Sequence, residues 1–155
     1  VPAEKIAPGS DGLMFHPYLN GELTPYNDPD LKGSYTGISS SHTTAHFTRA
    51  TLEGVAMSLK DCLNTLNGLG VEMKRVRIIG GGAKSEAIRT LAPSILGMDV
   101  TRPATDEYVA IGAARQAAWV LSGETEPPAW QLTIDGVETG EPTEAVYEAY
   151  AKARG

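Results

Sequence analysis

A single cysteine, Cys62, is all the thiol the chain has, and one thiol cannot form an internal disulfide. That fits a reducing compartment, and a cytoplasmic location is expected. No apolar run approaches the ~18 residues a helical membrane span needs. The first residues show no succession of positive charge, apolar core and small-residue site. Positive charge is also scarce: 13 Lys and Arg stand against 19 Asp and Glu, a net charge of −6. Phosphate backbones are bound by basic surfaces, so no nucleic-acid partner is expected, and no membrane partner either.

What is present is a globular composition, 41% apolar and 21% charged over 155 residues. Residues 1–10, with Pro2, Pro8 and Gly9, read as an extended lead-in. "GLMFHPYL" (12–19) reads as a short strand limited by Pro17, and "NGELTPYNDPDLKG" (20–33) as an irregular surface loop. "SYTGIS" (34–39) is a second short strand. Apolar residues then recur at helical spacing from Phe47 through Val55, Leu59 and Leu63 to Leu66, which predicts a helix over 44–66 buried on more than one face. Thr43 or Thr44 can cap it, and Asn67-Gly68 with Gly70 stops it.

A strand over 76–79, a helix over 85–96 that Pro93 should kink or split, and a strand over 99–103 follow. The helix predicted over 108–121 is rich in alanine and glycine, so it can sit close against a neighbour. Beyond Ser122 turn formers dominate, until a short helix over 143–152. Alternation of strands and helices implies an α/β architecture with parallel strands and crossover helices.

Three glycines stand where a strand hands over to a helix, in "RVRIIGGGAKSEAIRTL" (75–91). Glycine lets backbone approach a ligand, and a helix N-terminus offers free N–H groups. A nucleotide site and a tight turn with nothing bound are both consistent with this stretch. A Walker A loop is not: Ala83 precedes Lys84 where glycine is required, and Ile78 stands at the first glycine position. A dinucleotide fingerprint has Ser85 in place of its third glycine, and Arg102 where an acid should hold the ribose. Only an NADP version survives.

A second stretch, "GSYTGISSSHTTAHFTRATLE" (33–53), carries more. Gly33, Tyr35, Gly37-Ile38, a seven-residue gap, His46-Phe47 and Ala50-Thr51-Leu52-Glu53 resemble the C-terminal signature of the FGGY carbohydrate kinases. "GLMFHPYLNGELTP" resembles the GLxFLPYLxGERTP pattern of the xylulokinase branch. "IIGGGAKSE" resembles the adenosine motif of the family, and "ATDEYVAIGAARQAA" the helix that follows it.

The resemblance implies a fold and a chemistry. The fold would be part of a ribonuclease H-like C-terminal domain of the actin and sugar-kinase superfamily, α/β with a mixed sheet and packed helices. Residues 1–122 would be its nucleotide-binding part, incomplete on the N-terminal side, and 123–155 an extension ending in the short helix. The parent, of which this chain would be a fragment, would have about 500 residues, too long for one core. It would transfer the γ-phosphoryl of ATP, with Mg²⁺, to a sugar hydroxyl, D-xylulose first among the candidates. Glycerol, ribulose, gluconate and deoxy sugars are the alternatives, and a non-catalytic ATP-binding module is a different class.

Gly37 and Ser39 would meet the phosphates. Gly81, Gly82 and Ala83 would lie against the adenosine of ATP or ADP, with Glu86 near the ribose or base. The catalytic base is expected upstream of Val1, as are the sugar contacts, so this segment alone is expected to be inactive. A homodimer is left open. The sequence departs from the family at Leu23, usually arginine, at His16, commonly leucine, and at Pro93.

Other residues have plainer readings. His42 and His46 share an i, i+4 spacing but have no third ligand candidate nearby, so no metal site is expected. Glu53, in an apolar helix, reads as a carboxylate hydrogen-bonded to backbone. Trp119 and Trp130 read as packing residues, and Cys62 as a small buried hydrophobe.

Overall fold

The computed structural model of the chain describes residues 3–104 and 107–154. Val1 and Pro2 of the lead-in, Thr105 and Asp106 of the "ATDEYVAIGAARQAA" stretch, and Gly155 lie outside the described residues. The lead-in is not extended: it coils into 3-10 turns at Ala3–Lys5 and Ser10–Gly12. The elements are β1 (Met14–His16), β2 (Ser34–Thr36), α1 (Thr44–Gly68), β3 (Val76–Arg77), α2 (Glu86–Leu96), β4 (Val100–Pro103), α3 (Tyr108–Ser122), β5 (Ile134–Glu138) and α4 (Glu144–Arg154).

β1 and β2 pair antiparallel, Phe15 opposite Tyr35. β3 and β4 pair parallel, with α2 as the crossover, and β5 adds antiparallel to β4. The second sheet is therefore mixed. The expectation of parallel strands holds for one pair only. β5 falls in the polar stretch that was expected to lack regular structure. Its Ile134 and Val137 are 43% and 55% exposed, so it has no buried apolar face to announce it.

The core lies on both sides of α2. On one side Leu91 and Ile95 pack with Met14 of β1, Ala56 and Met57 of α1 and Tyr150 of α4. On the other, Ala92 and Leu96 pack with Val100 of β4, flanked by Leu63, Val76 and Ile78. Pro93 neither ends nor splits α2, which stays continuous to Leu96. Gly97, left-handed at φ 71°, closes it and donates to the Pro93 carbonyl at 2.9 Å.

α1 begins as expected at Thr43, whose N–H is accepted by His46 Nδ1 at 3.1 Å. Its buried face is the expected one only in part: Leu63 of the predicted stripe packs against the core. Val55, Leu59 and Leu66 of the predicted stripe are 40%, 54% and 39% exposed, whereas Arg49, Glu53, Lys60 and Asp61 are buried. Each buried charge has a partner, which is what makes its burial tolerable. Lys60 donates to the Leu96 carbonyl at the end of α2 (3.0 Å) and pairs with Glu144 (3.2 Å). Asp61 accepts from Tyr147 at 2.6 Å and from Arg154 at 2.8 Å, tying α4 to α1. Arg154 in turn covers the ring of Tyr26 at 4.7 Å, so the 20–33 loop is fastened at that point.

α3 departs furthest from expectation. Although its small residues permit close packing, none of its residues is buried. Polar bonds tie its middle and last turns to the segment that follows: Arg115 Nε donates to the Pro128 carbonyl at 2.7 Å and Trp119 Nε1 to the Glu124 carbonyl at 2.8 Å. Cys62 is only part-buried, and its thiol faces the Thr24 carbonyl at 3.3 Å. Burial, chiefly, pushes that thiol up from its ordinary value. No helix among the described residues is long and apolar enough to cross a membrane.

Candidate functional site

The glycine turn opens onto a hollow between β3, α2, β4 and the start of α3. β3 ends at Arg77, the backbone turns at Gly80, and Gly81–Lys84 form a single 3-10 turn before Ser85 caps α2 by accepting the Ile88 N–H at 3.4 Å. Gly80 has φ 79° and ψ −163°, a conformation costly for any side chain. At Gly81 and Gly82 the backbone is ordinary, and a Cβ would meet nothing within 4 Å. The absence of side chains there has no packing reason in this structure.

The hollow holds about 610 Å³, within the range of small-molecule pockets. Its lining includes Ile78, Gly81, Ala83 and Lys84 around the turn, Arg89 of α2, Arg102 and Pro103 of β4, and Tyr108 of α3. Arg89 Nη1 donates to the Ala83 carbonyl at 2.9 Å and so grips the turn itself. Arg102 pairs with Glu138 at 3.3 Å and Asp135 at 3.5 Å. Lys84 has no ion pair among the described residues. Apolar walls with placed cations suit a ligand that is part ring system and part anion.

The structure brings together only some of the expected residues. Gly81 and Ala83 line this hollow. Gly82 is in the same turn without lining it. Glu86 opens instead on a second hollow of about 580 Å³, between Glu4, Arg49 and Thr90. Gly37 and Ser39 follow β2, elsewhere on the chain. A Cβ on Gly37 would collide with the Gly12 carbonyl, so this glycine has a packing reason independent of any ligand.

Ser39 is exposed, its N–H bonded to His42 Nδ1 at 3.1 Å and its hydroxyl to that of Ser41 at 3.1 Å. His42 and His46 do matching work: each Nδ1 accepts a backbone N–H, and each Nε2 donates to Asp11, at 3.4 Å to its carbonyl and 3.1 Å to its carboxylate. They latch the 39–46 turn to the lead-in. Among the described residues, no group of three or more His, Cys, Asp or Glu is placed to hold a metal ion.

Sequence reasoning missed Arg89, Tyr108 and Glu138. Arg89 had a local signal, a cation one turn into the helix after the glycines. Glu138 had none, since its place depends on β5 pairing with β4.

Comparison with known proteins agrees with the motifs. The profile of the FGGY family of carbohydrate kinases, C-terminal domain, matches residues 3–121. The xylulose kinase of Staphylococcus epidermidis is 40% identical over 127 residues, 82% of this chain and 24% of that protein. The gluconokinase of Bacillus subtilis is 39% identical over 112 residues, 72% of this chain and 22% of that protein. The crystal structure of xylulose kinase from Bifidobacterium adolescentis superposes with a TM-score of 0.86 and 67% identity, over 99% of this chain and 30% of that one. The chain thus spans less than a third of the length of the proteins it matches.

Proposed function

This chain belongs to the FGGY family of carbohydrate kinases, within the C-terminal domain, and from that premise we propose that it is the nucleotide-binding part of an ATP-dependent xylulose kinase of the cytoplasm. The observation that carries the reading is the open turn at Gly81 and Gly82 on the rim of a cavity of about 610 Å³. The chain's own task would be to bind and orient ATP. Gly81, Gly82 and Ala83 would face the adenosine, Gly37 and Ser39 the phosphates, and Glu86 the ribose or base. Of these, Gly81 and Ala83 have the cavity in their support.

The γ-phosphoryl would pass to a sugar hydroxyl whose proton goes to a carboxylate outside this chain. The phosphates and residues outside this chain would hold Mg²⁺. Xylulose is favoured by the 67% identity to the Bifidobacterium adolescentis enzyme. Gluconate is the second reading, on the 39% identity to a gluconokinase. Sugar specificity would be read by a coupled assay on the full-length protein with each sugar in turn.

Gly81→Val tests the nucleotide site. Nothing in the fold opposes a side chain there, so the variant should melt as the parent does. In the full-length protein it should weaken ADP binding by about tenfold or more in calorimetry, the cost of crowding a filled site. Undiminished ADP binding would remove the nucleotide from this turn.

A further inference from the structure

Behind the glycine cavity lies a carboxylate that belongs to neither the motifs nor the part of the chain matched to the family. Glu138 ends β5, beyond residues 3–121. Its Oε1 lies 3.7 Å from Arg89 Nε and 3.3 Å from Arg102 Nε. Arg89 extends the contact forward, donating from Nη1 to the Ala83 carbonyl at 2.9 Å. A continuous chain therefore runs from β5 through a guanidinium to the Gly81–Lys84 turn, and a second branch runs to Arg102, which also lines the cavity. All three side chains are part-buried, 25% exposed at Arg89, 31% at Glu138 and 29% at Arg102.

The turn needs such a brace. Ala83 N–H reaches the Gly80 carbonyl at 3.2 Å and Ser85 N–H the Gly82 carbonyl at 3.1 Å. A Cβ built on Gly80, Gly81 or Gly82 would meet nothing within 4 Å, so no neighbouring element packs against the turn on that side. A single-turn 3-10 segment with long internal bonds is weak by itself. Arginine suits the task because its planar fork can serve a carbonyl and a carboxylate together, which a lysine ammonium on a flexible stem does less well.

We propose that Glu138 is a positioning residue for the nucleotide, holding the Gly81–Lys84 turn through Arg89 and fixing Arg102 in the cavity lining. This rests on the nucleotide reading of the cavity. It makes β5 part of the binding apparatus and not an appendage.

Charge separates this role from simple screening. Removing the Glu138 carboxylate leaves Lys84, Arg89 and Arg102 less neutralised. On charge alone, an anionic nucleotide should then bind more tightly. A positioning role predicts the opposite sign.

The test uses the full-length protein, with ADP as the calorimetric probe. Glu138→Gln and Arg89→Lys should each weaken ADP binding by about three- to tenfold, the range for losing a part-exposed charge-assisted contact. The KM for sugar should stay put. Hydrogen exchange at the Ala83 and Ser85 amides should quicken in both variants without nucleotide. ADP affinity that is unchanged or increased in both variants, with folding intact, overturns the proposal. So does a uniform loss, in which melting temperature, sugar KM and kcat all worsen with no selective change at Ala83 and Ser85. Gly81→Val keeps the two readings apart. If it weakens ADP binding while Glu138→Gln and Arg89→Lys do not, only the brace fails; if none of the three does, the site itself is misplaced.

Discussion

The carboxylate of Glu53, midway along α1, accepts the backbone N–H of Gly9 on both of its oxygens, at 3.2 and 3.1 Å. Arg49, one turn earlier, adds a charge-assisted bond of 2.6 Å. Glu53 and Arg49 side chains are 4% and 11% exposed, so neither can fall back on bulk water. Glu53→Gln keeps the volume and one acceptor but leaves the guanidinium unpaired and sets an amide donor among donors. It should cost about 3 kcal/mol, the scale for breaking a buried ion pair from one side. Urea denaturation measures it. A loss below about 1 kcal/mol would mean that water entering beside Arg49 makes good the charge.

That carboxylate also shows where sequence reading reached and where it stopped. Its role was legible, because an acid set among apolar positions of a helix has few other uses. Which face of α1 it shares was not. Arg49, Glu53, Lys60 and Asp61 are buried because of Gly9, Leu96, Glu144, Tyr147 and Arg154, partners as far as 93 residues away in the chain. Periodicity sees only apolar spacing, so it found Leu63 but also assigned the interior to Val55 and Leu59.

The Thr43 cap and the glycine turn were legible for the opposite reason. Thr43 and Gly80 act on backbone within four residues. β5 lay between these cases: its pairing is long-range, and without a buried face it left no alternating signal.

His16 should make stability depend on pH. The imidazole is 2% exposed, stacked at 4.5 Å on Tyr150 and bonded from Nε2 to the Tyr150 carbonyl at 3.2 Å. Burial holds it below the ordinary histidine value. The Tyr150 carbonyl and Asp61 oppose that, and Arg154 adds to it. In the unfolded chain His16 gains its proton near pH 6.5, whereas in the fold it does so only at lower pH. The unfolded state therefore binds more protons over that window, and stability falls as pH drops from about 6.5 through the folded value. His16→Leu, which restores the residue common in the family pattern, should flatten this slope. Denaturation midpoints at pH 5, 6, 7 and 8 would show the two proteins diverging only on the acid side. Parallel profiles would mean that His16 titrates alike in both states.

α3 presents a different kind of expectation. Val109, Val120 and Leu121 are 85%, 74% and 90% exposed on a helix with no buried residue. Apolar surface of this extent is rarely left to water, and in relatives more than three times as long there is chain available to cover it. Val120→Lys with Leu121→Lys tests what lies over it. Lysine is a good helix former, so the pair should not unwind α3. The 155-residue chain alone should self-associate in sedimentation, and the double variant should do so less. In the full-length protein the same pair should lower the melting temperature, because two charges would then be forced into an apolar contact. Were the full-length protein to accept both lysines with no change in melting, this face of α3 would be solvent-exposed there too, and self-association of the shorter chain would need another surface, with Leu59 and Leu66 of α1 next in line.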